Sequence, residues 1–148
     1  MILYIVSLCL VAIRAVLDTN VLFSGLYSSR GASFQVLRLI ERGLIRLSLS
    51  TVLLFEYEDV LKRNKSRLNL RIGEIEELLD TFCKMSDHFP IFFLWRPYLP
   101  DPKDDHVLEL AVASRTSTII THNVKDFRDI HQFGVRAMTP QIILEGQK

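Results

Sequence analysis

Arg14-Ala15-Val16-Leu17-Asp18-Thr19-Asn20-Val21-Leu22 is the stretch on which the fold of this chain turns. Ala15 to Leu17 form a short apolar run that reads as a buried strand, and the strand ends on an acid. Asp18, Thr19 and Asn20 are also good capping and turn residues, so a helix cap or an Asx turn explains this segment taken alone. Downstream, strand-like and helix-like segments alternate. Ser33 to Arg42 has helical spacing (Phe34, Leu37 and Ile40, with Val36 and Leu39), and Gly43 is a stop. Leu44 to Leu49 reads as a strand. Ser50 or Thr51 caps a helix running to about Lys62, and Glu74 to Lys84 forms another after a basic, irregular stretch. A strand is expected at Pro90 to Leu94, a helix at Asp104 to Arg115, and a buried strand at Ser117 to Ile120. Gly134 to Met138 leads into a last short helix near Thr139 to Leu144. This alternation predicts an α/β fold with a mainly parallel central sheet. Ligands of such sheets bind beyond the carboxyl ends of the strands, where Asp18 and the loop after Ile120 fall.

At 148 residues, 49% of them hydrophobic, the chain can bury one compact core. Its formal net charge of +1 does not mark a nucleic-acid binder, but the distribution is uneven. Lys62, Arg63, Lys65, Arg67 and Arg71 form a run with no acid among them, so a basic surface can stand beside an acidic pocket. Cys9 and Cys83 are too few for a disulfide framework or a zinc site, and no histidine pair has ligand spacing; the expected compartment is the reducing cytoplasm. Met1 to Ile13 form an apolar leader outside the main pattern. It is shorter than the ~20 residues of a membrane helix and lacks the basic start of a signal peptide. We expect no membrane role, a domain over residues 14–148, and a leader (residues 1–13) that is an extension or precedes a natural start at Ile13.

Four acids stand at the ends or inward faces of these elements: Asp18, Glu56, Asp104 and Asp126. In a helix, Leu53, Tyr57, Val60 and Leu61 share the apolar face and Glu56 borders it, while Glu58 and Asp59 point outward. Asp104 shares a stripe with Leu108, Ala111 and Arg115, whereas Asp105 is turned toward Glu109 and Val112 and is left a supporting role. First-turn acids also stabilise a helix through its dipole, so a purely structural use is open for both. Asn123 and Asp126 follow the Thr118–Ile120 strand closely enough to reach one cation, and Thr121 can support them or cap the strand. His122 is read as a surface residue. Converging carboxylates repel unless something positive neutralises them, and an all-oxygen set suits Mg2+ or Mn2+ rather than zinc.

These motifs together resemble those of the PIN-domain nucleases, particularly the VapC-like toxin components of bacterial and archaeal toxin–antitoxin pairs. The likeness runs from about Ile13 to Glu145. Asp18-Thr19-Asn20-Val21-Leu22 resembles the opening motif, Glu56 lies on the helix of the second acid, Asp101-Pro102-Lys103-Asp104-Asp105 resembles the third, and Thr121-His122-Asn123-Val124-Lys125-Asp126-Phe127 the closing one. The chain departs from the family in its leader and at Asn123, where many relatives carry Asp. The resemblance implies a three-layer α/β/α sandwich and a metal site of Asp18, Glu56, Asp104, Asn123 and Asp126. It further implies Mg2+- or Mn2+-dependent endoribonuclease activity leaving a 3′-hydroxyl and a 5′-phosphate, a homodimer, and a cognate antitoxin.

Single-stranded or structured RNA is the expected substrate, with the Lys62 to Arg71 run offering phosphate contacts. Tyr57 and Trp95 are candidates for base stacking, although core packing explains either. Two other readings are carried: a non-cleaving PIN-like module that binds RNA or protein, and a metal-dependent phosphatase with Asp18 as nucleophile. The phosphatase is disfavoured because Asn20 stands where a second Asp is expected.

Overall fold

The computed structural model describes residues 12–91 and 98–146. Within them a five-stranded sheet has the order β3-β2-β1-β4-β5, with β1 at Ile13–Leu17, β2 at Ile45–Leu49, β3 at Ser86–His88, β4 at Thr118–Ile120 and β5 at Arg136–Met138. Every pairing is parallel, for example Ile13 with Ile45 and Val16 with Ile119. Ala15, Val16 and Leu17 are fully buried, because β1 is the central strand and is covered on both faces. β1 begins at Ile13, one residue before the expected start. Of the strand expected at Pro90 to Leu94, Pro90 and Ile91 carry no regular structure and 92–94 lie outside the described residues; β3 occurs just before it.

The helices are α1 (Thr19–Tyr27), α2 (Ala32–Glu41), α3 (Thr51–Arg63), α4 (Lys65–Leu68), α5 (Ile72–Met85), α6 (Asp105–Ala113) and α7 (Pro140–Glu145). The chain steps from β1 through β2 to β3 in one direction, then crosses back to β4 and β5. Right-handed crossovers therefore place α1 to α5 on one face and α6 on the other, where it packs against β1, β2 and β4. The result is the expected three-layer α/β/α arrangement. Among the described residues no helix is long and apolar enough to cross a membrane.

Local chemistry explains most boundaries. Gly43 ends α2 at φ +77°, and the amides of Gly43 and Leu44 close back on the Ile40 and Leu39 carbonyls. Ser50 caps α3 by accepting from the Leu53 amide at 3.2 Å. Leu53, Tyr57 and Leu61 are fully buried one turn apart, and the Tyr57 hydroxyl donates to the Leu17 carbonyl, pinning α3 to the end of β1. Helix α1 was not anticipated from the sequence. Its packing depends on Gly25: a Cβ there would stand 2.5 Å from Leu37 Cδ1 and 3.0 Å from the Ser33 carbonyl oxygen, so only glycine lets α1 approach α2 this closely. Four-residue α4 lies in the stretch expected to be irregular.

Candidate active site

The strand order reverses at β1, and the crevice beyond the ends of β1 and β4 is where such a sheet offers a binding site. Asp18 stands there, its amide donating to the Ile120 carbonyl at 2.9 Å. Its carboxylate is held from two sides: Oδ1 accepts from the Thr19 amide at 2.9 Å, and Oδ2 accepts from the Thr121 hydroxyl at 2.7 Å. The Asn20 amide lies 3.4 Å from the same Oδ2. Asp18 thus both caps α1 and lines the crevice. Burial, with repulsion from Glu56, pushes its carboxyl above the usual value against the pull of the Thr121 and Thr19 hydrogen bonds.

Glu56 reaches the crevice from α3, while Glu58 and Asp59 point outward into ion pairs with Lys62 and Arg63. Thr19 Oγ1 donates to Glu56 Oε2, and His106 Nε2 lies 3.3 Å from Oε1. Burial works to raise this carboxyl, but the hydrogen bonds from His106 and Thr19 hold it below its ordinary value. His106 is a residue that reading for ligand pairs overlooked. It is buried, and its Nδ1 has no hydrogen-bond partner among the described residues. The available signal was faint: a histidine directly after two acids at the start of an apolar helix.

Asp104 sits at the end of a 3-10 turn, Pro102–Asp104, and not inside the helix as the stripe with Leu108 and Ala111 implied. It is half-buried, and its carboxyl is raised to about 7 by burial and by repulsion from Asp18, Asp101, Asp126 and Glu56. Asp105 opens α6 and is almost fully buried, accepting from the Tyr98 and Leu99 amides at 3.2 and 2.8 Å. Asp105 to Ala111 are all buried, so this part of the helix presents no face to solvent. Asp105 therefore ties down the backbone at 98–99.

Asp18, Glu56, Asp104 and Asn123 line one open cavity of about 360 Å³, with Thr19, Phe23 and Arg67 among its other walls. Asp126 is not in that wall; it sits in the Val124–Asp126 turn within electrostatic reach of Asp104. The donor set fits a hard divalent cation, since it is oxygen-rich, and burial together with repulsion among its carboxylates raises Asp18 and Asp104. The spacing is more open than a closed ligand shell. Among the described residues no three His, Cys, Asp or Glu side chains stand together at ligand distance. A second cavity, about 320 Å³ between α1, α2 and α5, is lined by Leu26, Phe34, Leu37 and Phe82, and its charged members Arg38 and Glu41 pair with each other. It carries no catalytic chemistry.

The basic run divides. Lys62 pairs with Glu58 and Glu76, Arg63 with Asp59, and Arg71 with Glu74, all from outside the run. Among the described residues Lys65 and Arg67 have no carboxylate partner. Tyr57 is fully buried and unavailable for stacking, and Trp95 lies outside the described residues. His122 is exposed, with Nε2 2.8 Å from the Ser33 hydroxyl.

A parallel sheet with a carboxylate-lined crevice at its switch point defines the class of this chain, an α/β protein with an acidic site. The PIN domain family's pattern matches residues 14–125, most of the chain, and the chain belongs to that family, whose members are generally nucleases. Among solved structures it is similar to the crystal structure of VapBC2 from Rickettsia felis bound to a DNA fragment from their promoter. The TM-score is 0.59 at 15% identity, covering 86% of this chain and 98% of that one, a likeness of fold. No curated protein matches the sequence.

Proposed function

We propose that this chain is an endoribonuclease that hydrolyses RNA phosphodiesters with Mg2+ or Mn2+, and that it is the toxin of a toxin–antitoxin pair acting in the cytoplasm. The observation that carries the reading is the meeting of Asp18, Glu56, Asp104 and Asn123 in one cavity at the switch point of the sheet. Membership in the PIN family supports the nuclease half, and the fold shared with VapBC2 supports the toxin half and an antitoxin partner; a homodimer is part of the same proposal.

Asp18, Glu56, Asp104, Asn123 and Asp126 would hold the cation. When bound, it supplies an acidified water and offsets charge at phosphorus. The chain's own work is positioning. Thr121 and the Thr19 amide fix the Asp18 carboxylate on the rigid end of β1, and Thr19 and His106 fix Glu56 facing it. Asp104 lines the same cavity, its carboxyl raised to about 7 by burial and by the neighbouring acids. Phosphate contacts fall to Lys65 and Arg67, the members of the basic run free of carboxylates among the described residues. Single-stranded or looped RNA fits better than duplex, because an unpaired backbone can bend into a small crevice.

Incubation of the purified chain with single-stranded RNA and Mn2+ tests the reading. The expected result is cleavage to 3′-hydroxyl and 5′-phosphate ends, abolished by EDTA and by Asp18→Asn. Cleavage that persists in EDTA, or survives both Asp18→Asn and Asp104→Asn, overturns it.

A further inference from the structure

We infer that Arg67, Phe23 and Tyr27 form a stacking platform for one unpaired nucleobase of the RNA, at the rim of the acidic cavity. The inference rests on the RNA substrate proposed above and adds a subsite to it.

Phe23 and Tyr27 stand four residues apart on α1, with ring centroids 5.8 Å apart and planes 16° from parallel. Arg67 comes from α4, and its guanidinium carbon lies 5.3 Å from the Phe23 centroid and 5.5 Å from that of Tyr27. One cation therefore covers two rings, within the range of cation–π attraction. Tyr27 is 57% exposed, so this aromatic surface is not core. Arg67 is exposed too, and among the described residues its side chain makes one hydrogen bond, a long one of 3.5 Å to Asn64 Oδ1. Its neighbours Lys62, Arg63 and Arg71 are each neutralised by a carboxylate, whereas Arg67 has none among the described residues.

Placement gives the cluster a use. Phe23 and Arg67 line the same cavity as Asp18, Glu56 and Asp104, so an RNA strand whose phosphate reaches the acids passes this surface. A guanidinium is planar and weakly hydrated, and it stacks on aromatic rings and on base faces alike. A base laid on Arg67 or Tyr27 extends a stack that already exists. Stacking of this kind tolerates any base, because every base has a π face. The plainer role, clamping four-residue α4 onto α1, would leave RNA binding indifferent to the base.

The test uses the full chain carrying Asp18→Asn, with Mn2+ and short single-stranded RNAs bearing 2-aminopurine at each position in turn. Fluorescence should be quenched at one position, and Arg67→Gln or Tyr27→Ala should remove that quench. An abasic nucleotide there should weaken binding about tenfold in the parent and leave either variant unchanged. Arg67→Lys, which keeps the charge without the planar face, should lose the quench while retaining the salt dependence of binding. Thermal melts establish that the variants are folded. No quenched position, a quench that survives both substitutions, or an abasic penalty equal in parent and variants overturns the platform. The nuclease reading fails separately: RNA cut by the unsubstituted chain with no base coupling sinks the platform alone, and coupling without cleavage sinks the nuclease alone.

Discussion

Replacing Asp104 by asparagine removes a carboxyl that folding makes harder to ionise. Its ordinary value is 3.8 and the folded chain raises it to about 7, mainly through burial and then through Asp18, Asp101, Asp126 and Glu56. A raised carboxyl binds more protons folded than unfolded, so its favourable contribution is complete below the unfolded value and is lost as pH rises through the folded one. The full shift is about 3 pH units, or ~4 kcal/mol at 1.36 kcal/mol per unit. Asp104 is only half-buried, so solvent screening reduces this to about 2 kcal/mol. Asn keeps the shape and cannot ionise. Between pH 4 and pH 8 in EDTA, Asp104→Asn should therefore gain about 2 kcal/mol relative to the parent, a Tm difference growing by roughly 4–8 °C. Urea unfolding of both proteins across that range measures it. Saturating Mn2+ at pH 8 should stabilise the parent more than the variant, because the ion relieves the same repulsion. A stability difference that stays flat with pH, or shrinks toward pH 8, refutes the placing of Asp104 among mutually repelling acids.

Thr121→Val deletes the hydroxyl that donates to Asp18 Oδ2 at 2.7 Å and should weaken Mn2+ binding by about 10–100-fold in calorimetry, as loss of a ligand's outer partner does elsewhere. Asp18→Asn should lower RNA cleavage by at least roughly 10² in single-turnover assays while leaving the far-ultraviolet CD spectrum unchanged. Gly25→Ala should destabilise by about 1–3 kcal/mol, because the clash with Leu37 and the Ser33 carbonyl outweighs alanine's better helix propensity; chemical denaturation reads it directly. Ser50→Ala, which removes the α3 cap, should lose about 1 kcal/mol in the same measurement.

The fold was legible wherever one physical signal dominated. Ala15 to Leu17 and Thr118 to Ile120 are apolar runs too short for helices, and α3 advertises itself through Ser50 and the Leu53–Tyr57–Leu61 spacing. Helix α1 was missed because Thr19-Asn20-Val21-Leu22-Phe23-Ser24-Gly25 offers β-branched residues, an aromatic and a glycine, all weak helix formers. Tertiary contact stabilises it: Asp18 caps it, and Gly25 lets it lie against α2. Helix α6 shows the opposite limit. Asp105 and Glu109 are charged, yet the helix is buried around its circumference from Asp105 to Ala111, and Asp105 satisfies two backbone amides no periodicity could reveal.

The site shows the same division between what a strand end fixes and what only three dimensions can. A carboxylate immediately after a central buried strand has one place to go, so Asp18 could be placed from the sequence. Glu56 could be chosen over Glu58 because the helix face is set by three fully buried side chains. His106 and Arg67 could not be found that way, since each acquires meaning only from a residue roughly 40 to 50 positions away: Glu56 for the histidine, Phe23 and Tyr27 for the arginine. Counting charges along Lys62 to Arg71 suggested a uniform basic patch. In the folded chain, acids from α3 and α5 neutralise three of those five, and the positive charge left at the cavity's edge is carried by Arg67. The RNA proposed as substrate would need such a charge beside an acidic crevice, and an arginine already lying on two rings supplies it with a flat face suited to a base.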